Sequence, residues 1–286
     1  MKTLLHLTLL LFLLLTAACK KDTAPVSKGV AIYMVGHNDD WQLFMGLDFL
    51  KDLGSGKKII LITTSSGCQE STYCNAREEG AIASIDYALD AKGVKGQPFI
   101  GNQQVGAYSI PYYKNGPVTA YFLRLPDGNA DGEGFAALGK ASMTKLYNGK
   151  IEQLVSTDSV NIYYNRQQLV KMLHLLVAET LEPTDFPVTL NIPDTLESAN
   201  PSDHADHIVT AKLGLEAFGS NGWDTYAYTD YASAFMQANL SNEEFDEEWK
   251  LFSAYDTKVT EEMGFCTTCY SDIYYKFCWR LYKRKL

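Results

Sequence analysis

The chain has 286 residues, of which 46% are hydrophobic and 12% aromatic, and its 25 basic and 34 acidic residues give a net charge of −9. That length and aromatic content exclude a disordered chain and allow a full hydrophobic core. The acidic balance excludes a protein that holds nucleic acid through a broad basic face, and no internal repeat points to a solenoid.

The N-terminus reads as an address. Lys2 is followed by an almost wholly apolar run over residues 4–15, too short to span a bilayer comfortably. Thr16, Ala17 and Ala18 then precede Cys19, which resembles the lipobox of bacterial lipoproteins, where the cysteine becomes the lipidated N-terminus. Thr16 is an imperfect match, and an ordinary signal peptide cut nearby is the alternative. On the lipoprotein reading, residues 1–19 are a signal peptide ending at the lipidated Cys19. Residues 20–28 are then a polar tether, and residues 29–286 form one exported domain of the bacterial cell envelope, periplasmic or at the cell surface. Export permits disulfides. Beyond Cys19 the six cysteines leave Cys68, Cys74, Cys266, Cys269 and Cys278, an odd number. Cys68 and Cys74 flank one loop and could bridge. Cys266 and Cys269 lack the second pair that a ribbon-type zinc site needs, so a local disulfide among the last three is expected.

In chain order, residues 30–35 (VAIYMV) predict a buried strand, followed by His37-Asn38-Asp39-Asp40 and then a helix carrying Leu43, Phe44, Leu47, Phe49 and Leu50. Residues 58–64 predict a second strand, 76–89 a helix, and 118–125 a third strand ending in the turn Pro126-Asp127-Gly128. Residues 167–181 predict a helix, 187–192 a fourth strand, 206–218 a helix and 226–228 a last strand. Residues 101–113 and 129–157 are Gly- and Tyr-rich and read as loops walling a pocket. Alternating strands and helices predict an α/β fold, Rossmann-like, with a mainly parallel sheet covered by helices on both faces. Ligands of such sheets bind beyond the carboxyl ends of the strands. His37–Asp40 and His204–His207 each follow a predicted strand, so both belong on that rim.

Of the five histidines, His6 lies in the leader; His37, His204 and His207 each lie within two residues of an aspartate, and His174 falls on an apolar helix, where it reads as a packed or partly exposed histidine. Imidazole and carboxylate are the usual ligands of a catalytic zinc, with three protein ligands leaving one position open. Zinc lowers the pKa of a water it holds towards about 7, and a neighbouring carboxylate such as Asp39 can take the proton. Iron(II) suits a two-His, one-carboxylate set as well, whereas calcium and magnesium prefer oxygen shells. Either cluster alone could be a helix cap or a solvated turn; the two together favour a metal site.

Gly36-His37-Asn38-Asp39-Asp40 resembles the His-Pro-Asp-Asp motif of the PIG-L/LmbE family of zinc-dependent N-deacetylases, and His204-Ala205-Asp206-His207 resembles that family's His-Pro-Asp-His motif. The stretches TTSSG (63–67), AREEG (76–80) and LRLPDG (123–128) resemble further landmarks, in order, so the likeness runs over residues 29–219 with weaker echoes to Tyr255. The resemblance implies zinc (Zn2+, with Fe2+ as the other metal of that donor set) on His37, Asp40 and His207. It implies Asp39 as general base, and His204 as the group that polarises the scissile carbonyl or acts as an acid. Asp206 would orient an imidazole and Arg77 would contact substrate. The implied reaction is hydrolysis of an N-acetyl group on an amino sugar or its conjugate, with the membrane met only through the lipid anchor. Asn38 and Ala205 stand where the family motifs carry proline; neither change removes a ligand. Two rival readings are a non-catalytic carbohydrate-binding lipoprotein, with aromatics such as Trp41, Tyr112, Tyr113 and Trp223 stacking on sugars, and an amidase acting on a non-sugar acyl conjugate.

Overall fold

The computed structural model describes residues 28–269 and 271–286. The leader, Cys19 and the tether up to residue 27 lie outside the described residues. In chain order the elements are β1 (Val30–Val35), α1 (Asp40–Phe44), α2 (Gly46–Ser55), β2 (Lys58–Ser65), α3 (Ser71–Ala91), β3 (Phe99–Val105), β4 (Tyr108–Asn115) and β5 (Val118–Leu125). They continue with α4 (Met143–Tyr147), β6 (Leu154–Val155), β7 (Ile162–Tyr163), α5 (Arg166–Thr180), β8 (Val188–Pro193), α6 (Ala205–Phe218), β9 (Asp224–Tyr228), α7 (Asn242–Met263), α8 (Ile273–Phe277) and β10 (Lys283–Lys285). Among the described residues no helix is long and apolar enough to cross a membrane.

Eight strands form one sheet in the order β10-β9-β8-β1-β2-β5-β4-β3. β9, β8, β1, β2 and β5 run parallel; β3, β4 and β10 are antiparallel additions at the edges. The chain leaves β1 first toward β2 and β5, then returns to place β8 on the other side. The crevice between β1 and β8 is therefore where the winding reverses, and it opens at the carboxyl ends of both strands.

β1 shows why its sequence lacks polar alternation. Ala31, Tyr33 and Val35 enter one core, against α2, α3 and α7, while Val30, Ile32 and Met34 enter the other, against α5 and α6. A strand buried on both faces must be apolar throughout. Beyond Val35 the run stops and polar chemistry begins, so the core itself delivers His37 to the rim.

Several expectations change. Residues 101–113 are not a loop beside the pocket. They form most of the β3–β4 hairpin, paired from Phe99↔Lys114 to Val105↔Tyr108 at the edge of the sheet. Phe99 and Ile100 are exposed there, so an outer edge strand shows no clean apolar period. The helix after β1 is broken at Met45 into α1 and α2. The long helix α7 packs on α3 and starts at a capping box in which Ser241 and Glu244 exchange hydrogen bonds with each other's backbone, an arrangement worth about 1 kcal/mol. Disulfides join Cys68 to Cys74 and Cys266 to Cys269, and Cys278 is a buried free thiol.

Candidate metal centre

His37 and Asp40 follow β1 directly, and His207 comes from the first turn of α6. Gly36 makes the meeting sterically feasible. A Cβ at Gly36 would lie 2.8 Å from Cδ2 of His207 and 3.2 Å from Oδ2 of Asp40, so any larger residue would push the ring and the carboxylate apart. Gly128 leaves the same kind of room beside Asp206, where a Cβ would lie 2.5 Å from Oδ1 of that carboxylate.

Two imidazole nitrogens and both oxygens of one carboxylate converge in the centre. Nε2 of His207 lies 3.1 Å from Nδ1 of His37 and 3.1 Å from Oδ2 of Asp40, and Nδ1 of His37 lies 3.6 Å from Oδ1 of Asp40. A tetrahedral ion with bonds of about 2.0–2.1 Å sets its ligand atoms about 3.3 Å apart, so this triangle has the dimensions a zinc site needs. The outer ring nitrogens are occupied by carboxylates. Nε2 of His37 faces Oδ2 of Asp206 at 3.3 Å, and Nδ1 of His207 faces Asp203 at 3.0 Å and Asp230 at 3.2 Å. Carboxylates on the outer nitrogens hold the N–H there and turn the inner lone pairs toward one another. Lone pairs facing a carboxylate need a cation between them, supplied by protons or by a metal.

Charge points the same way. Asp39, Asp40, Asp127, Asp203, Asp206 and Asp230 are all buried around His37, His204, His207 and Arg77. An unpaired buried charge costs several kcal/mol, and six carboxylates exceed the available cations. Burial lowers the His37 pKa, but the Asp40 charge and the bond to Asp206 outweigh it and lift it to about 10. His207 is likewise lowered by burial and raised well above its ordinary value by Asp203 and Asp40. Burial raises Asp40, but His207 and His37 hold it well below the usual carboxylate range. Burial, with the Asp203 charge, pushes Asp230 up to about 8. A divalent cation bound among these groups would displace the protons that the imidazoles otherwise hold.

The other expected residues surround this triangle. His204 caps α6: its Nδ1 accepts the N–H of Asp206 at 3.1 Å, leaving Nε2 to carry the proton, 3.9 Å from Oδ1 of Asp127. Burial, then the His37 charge, depress its pKa to about 3, so His204 is a neutral donor. Asp206 orients His37 and also accepts the N–H of Gly128 at 3.0 Å. Asp39 sits at the edge of a pocket of about 350 Å³ that also takes in His37, Asp40, Asp127 and His204. Arg77 lines this pocket too, but its Nη1 donates to the Gly67 carbonyl at 2.9 Å and its Nη2 pairs with Asp39. What it demonstrably does is hold Asp39.

Sequence reasoning missed Asp203, Asp230, Tyr231 and Phe235. Asp203 stands four residues before His207, close enough for its spacing to have been the signal, whereas Asp230 lies just past the end of β9 and reaches His207 only through the order of the sheet. The aromatics named as sugar platforms pack instead: Trp41 and Tyr113 are buried, Tyr112 and Trp223 lie against the second core, and His174 is exposed on α5.

No protein-family model matches the chain, and no curated protein matches it significantly. Among solved structures it is similar to a triple mutant of a deacetylase from the teicoplanin biosynthetic pathway, at 10% identity and a TM-score of 0.47, over 87% of this chain and 89% of that one. It is also similar to the N,N'-diacetylchitobiose deacetylase of Pyrococcus horikoshii, at 13% identity and a TM-score of 0.44, over 82% and 74%. A third is the deacetylase of the A40926 pseudoaglycone, at 14% identity and 0.43, over 82% and 84%.

Proposed function

We propose that this chain is a metal-dependent N-deacetylase of the PIG-L/LmbE type, with zinc held by His37, Asp40 and His207, that hydrolyses an N-acetyl group on an amino sugar or its conjugate. The observation that carries the reading is the triangle of converging lone pairs, with an outer carboxylate behind each imidazole, at the mouth of a pocket. Zinc bound there supplies a Lewis acid and brings the pKa of water towards about 7. The residues of the chain do the rest. Asp39, fixed by Arg77, takes the proton of the attacking water on its free carboxylate oxygen and returns it to the departing amine. His204, neutral and held by its bond to the Asp206 N–H, donates Nε2–H to the oxygen that gains charge as water adds to the amide carbon, where a prepositioned donor stabilises most. Asp206, Asp203 and Asp230 keep both ligand imidazoles oriented. Attachment to the bacterial envelope through Cys19 belongs to this proposal and is supported by the leader sequence alone.

The test is metal content and acetate release measured on the same purified mature protein with a panel of N-acetylated amino sugars. Zinc near one equivalent with acetate release is the expected result. Glycan affinity with zinc but no acetate from any sugar or acyl conjugate would leave a binding protein. Turnover that needs iron(II) would change the metal and keep the ligands.

A further inference from the structure

The loop after β2 touches two parts of the site at once. Gly67 lies between Arg77 and His37, where a Cβ would stand 3.1 Å from Cζ of the one and 3.2 Å from Cβ of the other. Its carbonyl accepts from Nη1 of Arg77 at 2.9 Å, while Nη2 of the same guanidinium pairs with Asp39. The ring of Tyr73, on the first turn of α3, has its centroid 5.6 Å from Cζ of Arg77. Both of these supports of Arg77 come from residues 67–73.

That segment has little else to fix it. Gln69, Glu70, Ser71 and Thr72 are exposed. α3 begins at Ser71 with no side-chain cap and no acidic residue in its first turn, so that end of the helix frays unless something else holds it. The Cys68–Cys74 disulfide closes the segment on itself. Cys68 is buried directly after Gly67, and Cys74 lies three residues before Arg77, on the same side of α3. The crosslink therefore ties the carbonyl that receives Arg77 to the helical turn that presents Arg77. We propose that the Cys68–Cys74 disulfide is a positioning element of the reaction, holding Gly67 and Arg77 together and, through Arg77, the carboxylate of Asp39. This rests on the deacetylase reading above and deepens it by a group that touches neither substrate nor metal.

The experiment is a double-mutant cycle on the mature protein: the parent, Cys68→Ser/Cys74→Ser, Arg77→Ala, and all three changes together. Removing the disulfide should lower kcat about 10- to 100-fold, the upper figure being the scale of a misplacement of about 1 Å, with KM and zinc content unchanged. In the Arg77→Ala background it should cost nothing further, because the link to Asp39 is already cut. An unchanged kcat overturns the proposal. So does an equal loss in both backgrounds, which makes the disulfide a support of the fold and no more. A readout free of turnover is the Nε–H signal of Arg77 in nitrogen-15 NMR spectra. With its side chain 12% exposed, Arg77 should give a sharp signal in the parent and one broadened by exchange in Cys68→Ser/Cys74→Ser; equal sharpness overturns the proposal. If no N-acetyl sugar is hydrolysed, the deacetylase reading fails on its own account and that signal alone decides. If the serine variant does not fold, folded Cys266→Ser/Cys269→Ser protein is reduced instead with a water-soluble phosphine. The phosphine becomes its oxide, and water supplies that oxygen and the protons of the two thiols. The same loss of kcat and the same broadening are expected, and full activity with two new thiols titrated overturns the proposal.

Discussion

Two buried carboxyl groups show what makes a site. Asp206 and Glu248 are both 0% exposed. Asp206 lies against His37 and the N–H of Gly128; burial raises its pKa, but those partners win and it falls below the ordinary value. Glu248 comes from α7 and abuts Gly46, with no side-chain partner among the described residues, and burial together with the Asp48 charge raises its pKa well above the ordinary value. Depth is the same in the two places. The cationic neighbours decide whether the carboxyl is a charge ready to order a ligand or a protonated group inside a core.

That contrast can be broken at four points, in falling order of effect. His207→Ala removes the ligand shared by the two closest pairs in the centre, those at 3.1 Å to His37 and to Asp40. Metal analysis should find zinc lost and activity at background, and full occupancy would exclude His207 as a ligand. Asp39→Asn keeps the size of the side chain but cannot take a proton. Turnover should fall about 10²–10⁴-fold with zinc retained, and near-normal kcat would remove Asp39 as the base. Asp203→Asn leaves the triangle intact and weakens the carboxylate that orients His207. Zinc affinity should drop about 10–100-fold in a chelator competition, with the fold unchanged by circular dichroism.

Glu248→Gln gives the smallest change and shows itself only in pH dependence. A carboxyl whose pKa is raised in the folded state binds more protons there than in the unfolded chain. Its contribution is therefore complete below the unfolded value of 4.5 and is lost as pH rises above it, by at most about 1.4 kcal/mol per pH unit. Denaturant melts of Glu248→Gln should match the parent at pH 4 and exceed it at pH 8. Equal stability of the two at pH 8 would mean that Glu248 is already satisfied as an anion.

Much of the centre was legible because the active segments are local. His37 and Asp40 are three residues apart on one turn, as are His204 and His207, and each pair follows a strand apolar enough to recognise. The parallel core of the sheet was legible for the same reason. The β3–β4 hairpin was not, because its outer strand packs on one neighbour and exposes Phe99 and Ile100. α7 escaped notice although Ser241 and Glu244 spell its start. Asp230 carried no local signal at all: it reaches His207 only because β9 lies beside β8 and ends at the same rim.

By itself the sequence determined which residue types were available for a metal, on which turns they sat, and that β1 and β8 would be buried enough to carry them to one rim, since periodicity and spacing are properties of neighbouring residues. The tertiary structure alone decided that Asp230 stands behind His207 and that Arg77 holds Asp39. Those are contacts between segments far apart in the chain, and they exist only once the sheet order has been set.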